Sequence, residues 1–317
     1  MIPLATVTAI NAALINRQPL VAVFTGGTSG IDEYTIRYLA AHHGTTGKGL
    51  RVYIVGRNEQ AAEKIIADCL KICPRGEFVF VKATDLSLLR DVDRTCEKIK
   101  ELEKEKDGEG PRIDMLVMSH ADLWFGGRRG MFQTAASAHE TDRGSRDREG
   151  LDKTMSFLFY SRMRFIEQLL PLLRASTLPA HVVSIYGAGL EKKLPNWQPN
   201  NLSLRGADDD KIYSMSACRT HVTVMTTFFF ERLAKQNPGK LSLVHEYPGL
   251  VMTPAFNNAS HPWWFRLLWM ILSPIIHLFR PVISAEETGE RVLFSCSDRF
   301  PARSKGKTGD YATTTDG

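Results

Sequence analysis

The sequence predicts an α/β fold, a doubly wound parallel sheet in a single domain with an apolar lid segment towards the C-terminus. Short runs rich in Val, Ile and Leu alternate with longer helical patterns, which is the order of successive β-α-β units. The first of these runs ends in a glycine-rich turn that opens a helix. No Pro-rich or Gly/Ser-rich linker interrupts the alternation, so one domain is expected over residues 20–300.

The elements are expected in a regular order after an N-terminal helical extension at 1–19. The strands fall within PLVAVFTGG, LRVYIVGRN, GEFVFVKATD, IDMLVMSHA, AHVVSIYGAG and KLSLVHEYPG. The helices fall within IDEYTIRYLAAHH, EQAAEKIIADCLKI, LLRDVDRTCEKIKELEKEK and LDKTMSFLFYSRMRFIEQLLPLLRA, and a further helix begins near Tyr213. Such a sheet binds ligands at the carboxyl ends of its strands. Residues 301–317 are predicted to form a polar C-terminal tail.

Composition and charge exclude several classes of protein. The 317 residues are 43% hydrophobic and 24% charged, which is typical of soluble globular chains and not of fibrous or disordered ones. A net charge of +5 is too mild and scattered to indicate nucleic-acid binding. The five cysteines lack disulfide-framework spacing and the histidines lack metal-ligand spacing, so reduced thiols and no metal are expected. The first residues do not resemble a secretory signal, and a cytoplasmic location is predicted.

The first strand-to-helix junction, TGGTSGID, predicts a nucleotide site. Gly26 and Gly30 stand where the backbone turns sharply and approaches a phosphate, and the helix that follows offers its positive end. Arg57 comes directly after the second strand, in VYIVGRN. A basic residue there suits an adenosine 2′-phosphate, so NADP(H) is the expected cofactor.

Several motifs in this order resemble the short-chain dehydrogenase/reductase (SDR) superfamily, whose fold is of the Rossmann type, over residues 20–300. They are Thr25-Gly26-x-x-x-Gly30-Ile31, Asp85-Leu86, Tyr213 and the run Pro248-Gly249-Leu250-Val251-Met252-Thr253. The resemblance implies phosphate binding by the first motif, an adenine contact by the second, a catalytic tyrosine, and a nicotinamide contact by the last. The stretches VMSHADLWFGGR and FYSRMRFIEQLLPLL are similar to a divergent fungal branch of the family. The cofactor-binding residues are then Thr25, Gly26, Thr28, Ser29, Gly30, Ile31, Arg57, Asp85, Leu86, Ser119, Pro248, Gly249, Val251 and Thr253.

The chain departs from the family pattern in the cofactor cleft. The third glycine of the phosphate turn is replaced by Asp32, whose carboxylate would repel a bound phosphate, so weakened cofactor affinity is expected. The Asn-Asn-Ala-Gly that follows the fourth strand in the family is replaced by Met118-Ser119-His120-Ala121.

The catalytic positions depart further. The family uses a Ser to orient the carbonyl, a Tyr to exchange the proton, a Lys to lower the pKa of that Tyr, and an Asn to anchor a water. The serine position falls on Gly187, the Asn position near Leu158 and the Lys position on Ala217, which leaves the tyrosine alone. Arg219 points largely away from Tyr213 and is a poor substitute for the lysine. The catalytic candidates are Tyr213, Ser184, Tyr186 and His120.

These departures favour reduction over alcohol oxidation. Without a neighbouring ammonium, the pKa of Tyr213 is expected near the ordinary value of about 10, so phenolate is scarce at pH 7. Oxidation needs that base, whereas carbonyl reduction needs only a proton donor. An Ala217→Lys change is therefore expected to raise alcohol oxidation more than carbonyl reduction. Two alternatives stay open, a non-redox SDR-derived cyclase or isomerase of the Diels–Alder kind, and a nucleotide-binding pseudoenzyme.

The tryptophan-rich run PWWFRLLWMILSPIIHLF lies within a predicted substrate lid at 255–282. Trp263, Trp264 and Trp269 would line a pocket for a bulky apolar small molecule, and a specialised metabolite is the expected substrate. The run is too short and too interrupted to span a bilayer. Peripheral membrane contact through 262–280 and a homo-oligomer interface are the alternatives for this segment.

Two further expectations concern surface features. The small, polar and charged residues 126–149 predict a flexible surface insertion. In SAEETGER, Ser284 is expected to cap the N-terminus of a helix.

Overall fold

Seven parallel strands form one sheet in the computed structural model. The structure describes residues 2–14, 18–106, 110–121, 149–189, 197–205, 212–251, 253–254, 266–270, 272, 282–303 and 310–314. The strands are β1 Leu20–Thr25, β2 Leu50–Gly56, β3 Glu77–Lys82, β4 Met115–Met118, β5 Ala180–Ile185, β6 Leu241–Tyr247 and β7 Asp310–Thr314. Their order across the sheet is β3-β2-β1-β4-β5-β6-β7. The order reverses between β1 and β4, and this switch point is where a doubly wound sheet opens a crevice for ligands.

Helices cover both faces of the sheet. They are α1 Leu4–Leu14, α2 Gly30–His43, α3 Glu59–Ile72, α4 Leu89–Lys104, α5 Lys153–Met155, α6 Ser161–Arg174, α7 Met215–Gln236 and α8 Ala285–Ser295. A π-helical turn, Ser156–Tyr160, joins α5 to α6. The predicted fold class, a Rossmann-type α/β fold, is confirmed.

The central strands β1, β2, β4, β5 and β6 are apolar on both sides because they are almost entirely buried. All six residues of β1 are buried, and Leu20 to Thr25 pair in parallel register with Leu50 to Val55 of β2. One core cluster includes Val23, Ile166 and Leu243, and a second, on the other face, includes Phe24, Ile36 and Val292. Parallel sheets need this double cover, so continuous apolar runs rather than alternating ones predicted the strands correctly.

The N-terminal helix α1 docks on α8. Asn11 Nδ2 donates to the backbone oxygen of Glu290 at 2.7 Å and to its carboxylate at 2.6 Å. The cap expected for α8 is confirmed, since Ser284 Oγ accepts a hydrogen bond from the Glu287 amide at 3.0 Å.

The region expected to be a polar tail, 301–317, contains a strand. Residues Asp310–Thr314 pair in parallel with β6, from Leu243↔Asp310 to Tyr247↔Thr314. The Tyr311 ring packs edge-on against Phe300 with centroids 5.3 Å apart, and its hydroxyl donates to the Pro301 carbonyl at 2.8 Å. A single packed aromatic in a polar pentapeptide anchors a strand that composition alone did not indicate.

Most of the insertion expected at 126–149 lies outside the described residues. Its last residue, Glu149, is described, and its carboxylate accepts hydrogen bonds from the amides of Leu89 and Arg90 at 2.6 and 2.8 Å. A carboxylate at that place satisfies amides in the first turn of α4 and complements the helix dipole. Among the described helices, none is long and apolar enough to cross a membrane.

Candidate functional site

The glycine-rich turn between β1 and α2 is shaped so that only glycine fits at two of its positions. Gly26 has a φ of +102°, and a Cβ there would lie 2.9 Å from the backbone nitrogen of His120. Gly30 has a φ of +67°, and a Cβ there would lie 3.2 Å from Thr253 Cβ. Left-handed backbone and close approach both require glycine. The predicted phosphate turn and the Pro-Gly turn, which carries Thr253, are therefore in contact.

The first turn of α2 faces this cradle with its amides. Ser29 is the N-cap residue of α2, but its side chain makes no capping hydrogen bond. The amides of a helix N-terminus are left for a ligand when no side chain caps them, and the helix dipole favours an anion there. Backbone cradle, uncapped helix and glycine spacing together fit the pyrophosphate of a dinucleotide.

The residues predicted to lie at the adenosine end of the cleft are among those that the structure describes. Arg57 comes directly after β2 and is exposed. The Thr28 side chain lies against the neighbouring Gly56. Asp85 accepts hydrogen bonds from the Ser87 amide and hydroxyl at 3.0 and 2.6 Å and pairs with Lys153 at 3.3 Å. Burial alone would raise the Asp85 pKa, but these partners hold it below its usual value. Leu86 is buried and Ser119 NH donates to the Thr25 carbonyl at 3.2 Å.

Asp32 does not present a charge to the phosphate cradle. Its side chain is fully buried, and neither carboxylate oxygen has a partner of full hydrogen-bond geometry among the described residues. Burial raises the pKa of Asp32 to about 8, although the nearby Ser119 and the charge of Arg162 act in the opposite direction. The group is thus mostly protonated at pH 7, so the structure does not support the expected repulsion of a bound phosphate.

Arg162 organises the interior beneath the cleft, and sequence reasoning missed it. The side chain is fully buried on α6 and donates to Ser184 Oγ (2.9 Å), the Ile185 carbonyl (2.9 Å) and the His120 carbonyl (2.7 Å). Burial lowers its pKa to about 10, so it stays charged. A lone arginine on the apolar face of FLFYSRMRFIEQLL was the available signal.

His120 bridges two elements rather than facing the cleft with a free nitrogen. Its Nδ1 lies 2.7 Å from Thr25 Oγ1 and its Nε2 lies 2.8 Å from Ser161 Oγ. Burial, and then the charge of Arg162, holds its pKa well below the ordinary value, so the ring is neutral at pH 7. The arrangement fixes the loop after β4, and a direct catalytic role for His120 stays a prediction.

Tyr213 lies in an apolar cluster just before α7, whose N-cap is Ser214. Its side chain is 6% exposed, and its hydroxyl donates to Asp152 Oδ1 at 3.2 Å. Burial, followed by the neighbouring Cys218 and Asp152, raises the Tyr213 pKa well above 10, which corrects the expectation of an ordinary value. The positions of the missing Asn and Lys, Leu158 and Ala217, belong to the same cluster. A buried tyrosine of this kind is a poor base.

The space beside Gly187, which stands at the family's serine position, is occupied by a side chain of α7. A Cβ on Gly187 would lie 2.7 Å from Thr223 Oγ1, and Thr223 is buried on α7. Ser184, the nearby candidate, is buried and its Oγ accepts the hydrogen bond from Arg162. Neither position offers a free hydroxyl to the cleft.

Tyr186 differs from the other candidates because it is partly exposed. It follows β5 directly, and its amide donates to the Glu246 carbonyl on β6 at 2.7 Å. The Arg219 guanidinium carbon lies 5.9 Å from the centre of the Tyr186 ring. Burial raises the Tyr186 pKa to about 12, and Arg219 partly offsets this rise. The arginine two residues after the family's Lys position therefore lies over the Tyr186 ring.

The tryptophan-rich segment is described only in part. Trp263 and Trp264 lie outside the described residues, and their predicted pocket role stays a prediction. Residues 266–270 are helical and include Trp269, which is partly buried. Leu267, Leu268 and Met270 are exposed, Met270 by 67%.

Comparison with known proteins places the chain in a family. No protein-family model matches it. It is 38% identical to the short-chain dehydrogenase/reductase SAT2 of Stachybotrys chartarum over 316 residues, which cover 99% of this chain and 82% of that protein. The chain therefore belongs to the short-chain dehydrogenase/reductase superfamily, as an SDR-type oxidoreductase.

Solved structures share the fold at lower identity. The RhlG/NADP active-site complex of Pseudomonas aeruginosa superposes with a TM-score of 0.59 at 19% identity, covering 95% of this chain and 96% of that one. The MalC reductase/Diels-Alderase of Malbranchea aurantiaca gives a TM-score of 0.59 at 16% identity, with coverage of 97% and 98%. Both likenesses extend over nearly the whole domain.

Proposed function

We propose that this protein is an NADP(H)-dependent reductase of a bulky, apolar small molecule of specialised metabolism. The observation that carries the proposal is the contact between Gly30 and Thr253. A Cβ added at Gly30 would lie only 3.2 Å from Thr253 Cβ. This contact joins the phosphate turn to the turn that meets the nicotinamide in the family. The two turns that would bind the pyrophosphate and the nicotinamide therefore lie side by side.

The residues that would hold the cofactor are those of the cleft described above. Gly26, Gly30 and the amides of α2 would bind the pyrophosphate, and Arg57 would pair with the 2′-phosphate. Asp85 and Leu86 would lie beside the adenine, and Thr253 beside the nicotinamide. The cofactor when bound supplies a hydride, while the protein supplies binding, orientation and the proton. The RhlG complex, named for its NADP, supports this choice of cofactor by fold alone.

Reduction is favoured over oxidation because of the state of Tyr213. Its hydroxyl is committed to Asp152 and its pKa is raised by burial, so it cannot act as the base that alcohol oxidation needs. An electrophile such as a ketone, enone or iminium ion needs only a proton donor. The exposed Leu267, Leu268 and Met270 support an apolar substrate.

A second candidate function is a non-redox cyclisation in the same cleft. The observation that favours it is the replacement of acid–base groups by packing groups, since Thr223 crowds Gly187 and Ala217 lies in an apolar cluster. Cyclisation rests on proximity and a few hydrogen bonds, which such a cleft can supply. MalC, which is named as both a reductase and a Diels-Alderase, has the same fold.

Titration of the purified protein with NADPH and NADH, followed by cofactor fluorescence, tests the proposal. We expect tighter binding of NADPH, and Arg57→Ala to weaken NADPH binding by roughly tenfold or more while leaving NADH binding unchanged. Arg75→Ala is the matched control, because Arg75 is another exposed arginine close to the end of α3. Failure of both cofactors to bind at millimolar concentration contradicts the reductase and favours the cyclase.

A further inference from the structure

Tyr186 stands at the carboxyl edge of the sheet beside the turn that meets the nicotinamide in the family. It is the first residue after β5, and its amide bond to the Glu246 carbonyl ties it to β6 at 2.7 Å. Strand β6 ends one residue later, at Tyr247, and the Pro248-Gly249 turn begins there. The phenol and the turn thus leave neighbouring strands at the same edge, which is where ligands of this fold bind.

The titratable groups that act on Tyr186 come from two helices. Arg219 and Cys218 belong to α7, and Arg162 belongs to α6. Arg219 is exposed and lies over the ring at 5.9 Å, while Arg162 is buried and committed to three acceptors. The Glu246 side chain on β6 interacts instead with Ser295 on α8. Arg219 is therefore the cation available to respond to a charge that forms on the phenol oxygen.

Tyr213 and Tyr186 differ in exposure and in their charged neighbours, and the difference is opposite to what the family pattern predicts. Tyr213, at the family position, is 6% exposed and bonded to Asp152, with Ala217 where the lysine would be. Tyr186 is partly exposed and has a cation over its ring. A proton donor needs access to substrate and stabilisation of the anion that it leaves; Tyr186 is the less buried of the two side chains and the one with a cation over its ring.

We propose that Tyr186 is the catalytic proton donor of this protein and that Arg219, in place of the absent lysine, is its positioning residue. The inference rests on the proposed reductase function. As the substrate carbon accepts the hydride, the Tyr186 O–H bond breaks and its proton forms the O–H bond of the product alcohol. The phenolate that remains is held by Arg219 and takes a proton from solvent, so that one carbonyl, one hydride and one proton give one alcohol. Arg219 lowers the pKa of Tyr186 from the value that burial alone would give, in support of this role.

The pairing can be measured without substrate or cofactor. A trifluorotyrosine incorporated at position 186 brings phenol ionisation into an accessible pH range, where it is followed by ¹⁹F NMR. We expect Arg219→Met to raise the pKa of this phenol by about one unit, equivalent to roughly 1.4 kcal/mol, and Arg219→Lys to restore most of the shift. Arg232→Met, at an exposed arginine of the same helix, is the control and should leave it unchanged.

An activity measurement separates the two tyrosines. With NADPH and 9,10-phenanthrenequinone as an apolar carbonyl probe, Tyr186→Phe should lower kcat by roughly 100-fold or more while the affinity for NADPH is retained, and Tyr213→Phe should lower kcat much less. The proposal is overturned if Arg219→Met leaves the pKa of the phenol at position 186 unchanged, or if Tyr213→Phe lowers kcat more than Tyr186→Phe does. If the unmodified protein does not bind NADPH, the reductase function itself is overturned. The separate binding titration therefore distinguishes that failure from failure of the Tyr186 proposal.

Discussion

Tyr213 and Asp152, which are 61 positions apart in the chain, are joined by a hydrogen bond of 3.2 Å from the phenol hydroxyl to the carboxylate. Asp152 also accepts a hydrogen bond from the Met155 amide at 2.8 Å as the N-cap of α5. The tyrosine that alignment assigns to catalysis therefore holds the start of α5 against the start of α7. A sequence position and a side chain's environment are separate properties, and here they disagree.

Tyr213→Phe is expected to affect stability more than cofactor binding. The change removes one hydrogen bond to Asp152 and leaves the ring in its apolar cluster, which costs about 1 kcal/mol of unfolding free energy. Urea denaturation with NADPH titration in parallel measures both quantities. A tenfold loss of NADPH affinity without loss of stability would place Tyr213 in the cofactor site instead.

Ala217→Lys is expected to destabilise the protein rather than restore the family's chemistry. Ala217 is 1% exposed and packs in the cluster with Leu158 and Met225, so a lysine must bury its ammonium there. Overpacking costs about 1–3 kcal/mol, and the buried charge adds to it. Ala217→Met, of similar length without charge, separates the two contributions. Equal stability of the Lys and Met variants in urea would show that the ammonium reaches solvent.

Gly187→Ala is expected to be destabilising in a way that Thr223→Ala relieves. The added Cβ would lie 2.7 Å from Thr223 Oγ1, whereas removal of that hydroxyl opens the space. We expect the double variant to be more stable than the sum of the single effects by about 1 kcal/mol, measured as a double-mutant cycle by thermal unfolding. Additive effects would mean that the backbone at Gly187 moves away instead.

Asp32→Asn is expected to remove a loss of stability that the wild-type protein suffers as pH rises. The native pKa of about 8 lies above the unfolded value of about 4, so the native state holds a proton that the unfolded state releases. The stability of the wild type then falls between those two pH values by roughly 1.4 kcal/mol per unit, and the Asn variant lacks this fall.

Thermal unfolding from pH 5 to pH 9 checks the Asp32 prediction. The stability difference in favour of Asn should grow up to about pH 8 and then level off. Asp68→Asn is the control, because Asp68 is solvent-accessible and its pKa is lowered by Lys71 and Arg37, so no such gain is expected. Parallel curves for wild type and Asp32→Asn would contradict the assignment of a neutral, buried carboxyl group.

Arg162→Met is expected to be the most destabilising of these changes. The change leaves the buried Ser184 hydroxyl and two buried carbonyls without their hydrogen-bond donor. We expect this to lower the unfolding free energy by about 3–5 kcal/mol. Arg164→Met, two residues along, removes a partly exposed pair with Asp93 and should cost about 1 kcal/mol or less. Chemical denaturation of both variants measures the contrast, and similar costs would show that Arg162 is replaceable by packing.

The sequence predicted the fold because its signals were local. The α3 pattern predicted Glu59–Ile72, and the glycine turn predicted the cradle at Gly26 and Gly30, since glycine requirements are properties of the backbone. The burial of Tyr213 was not predictable, because it depends on Asp152, which approaches from a distant part of the chain. The charge state of Asp32 was missed for the same reason, since burial determines it.

Strand β7 also protects the sheet from self-association. Without it, the backbone donors and acceptors of β6 would form a free edge on an apolar strand, and such edges recruit other chains. Truncation before Asp310 should thus produce a protein that oligomerises or aggregates while its nucleotide cleft is untouched. Purification tags are better placed at the N-terminus, away from this five-residue edge strand.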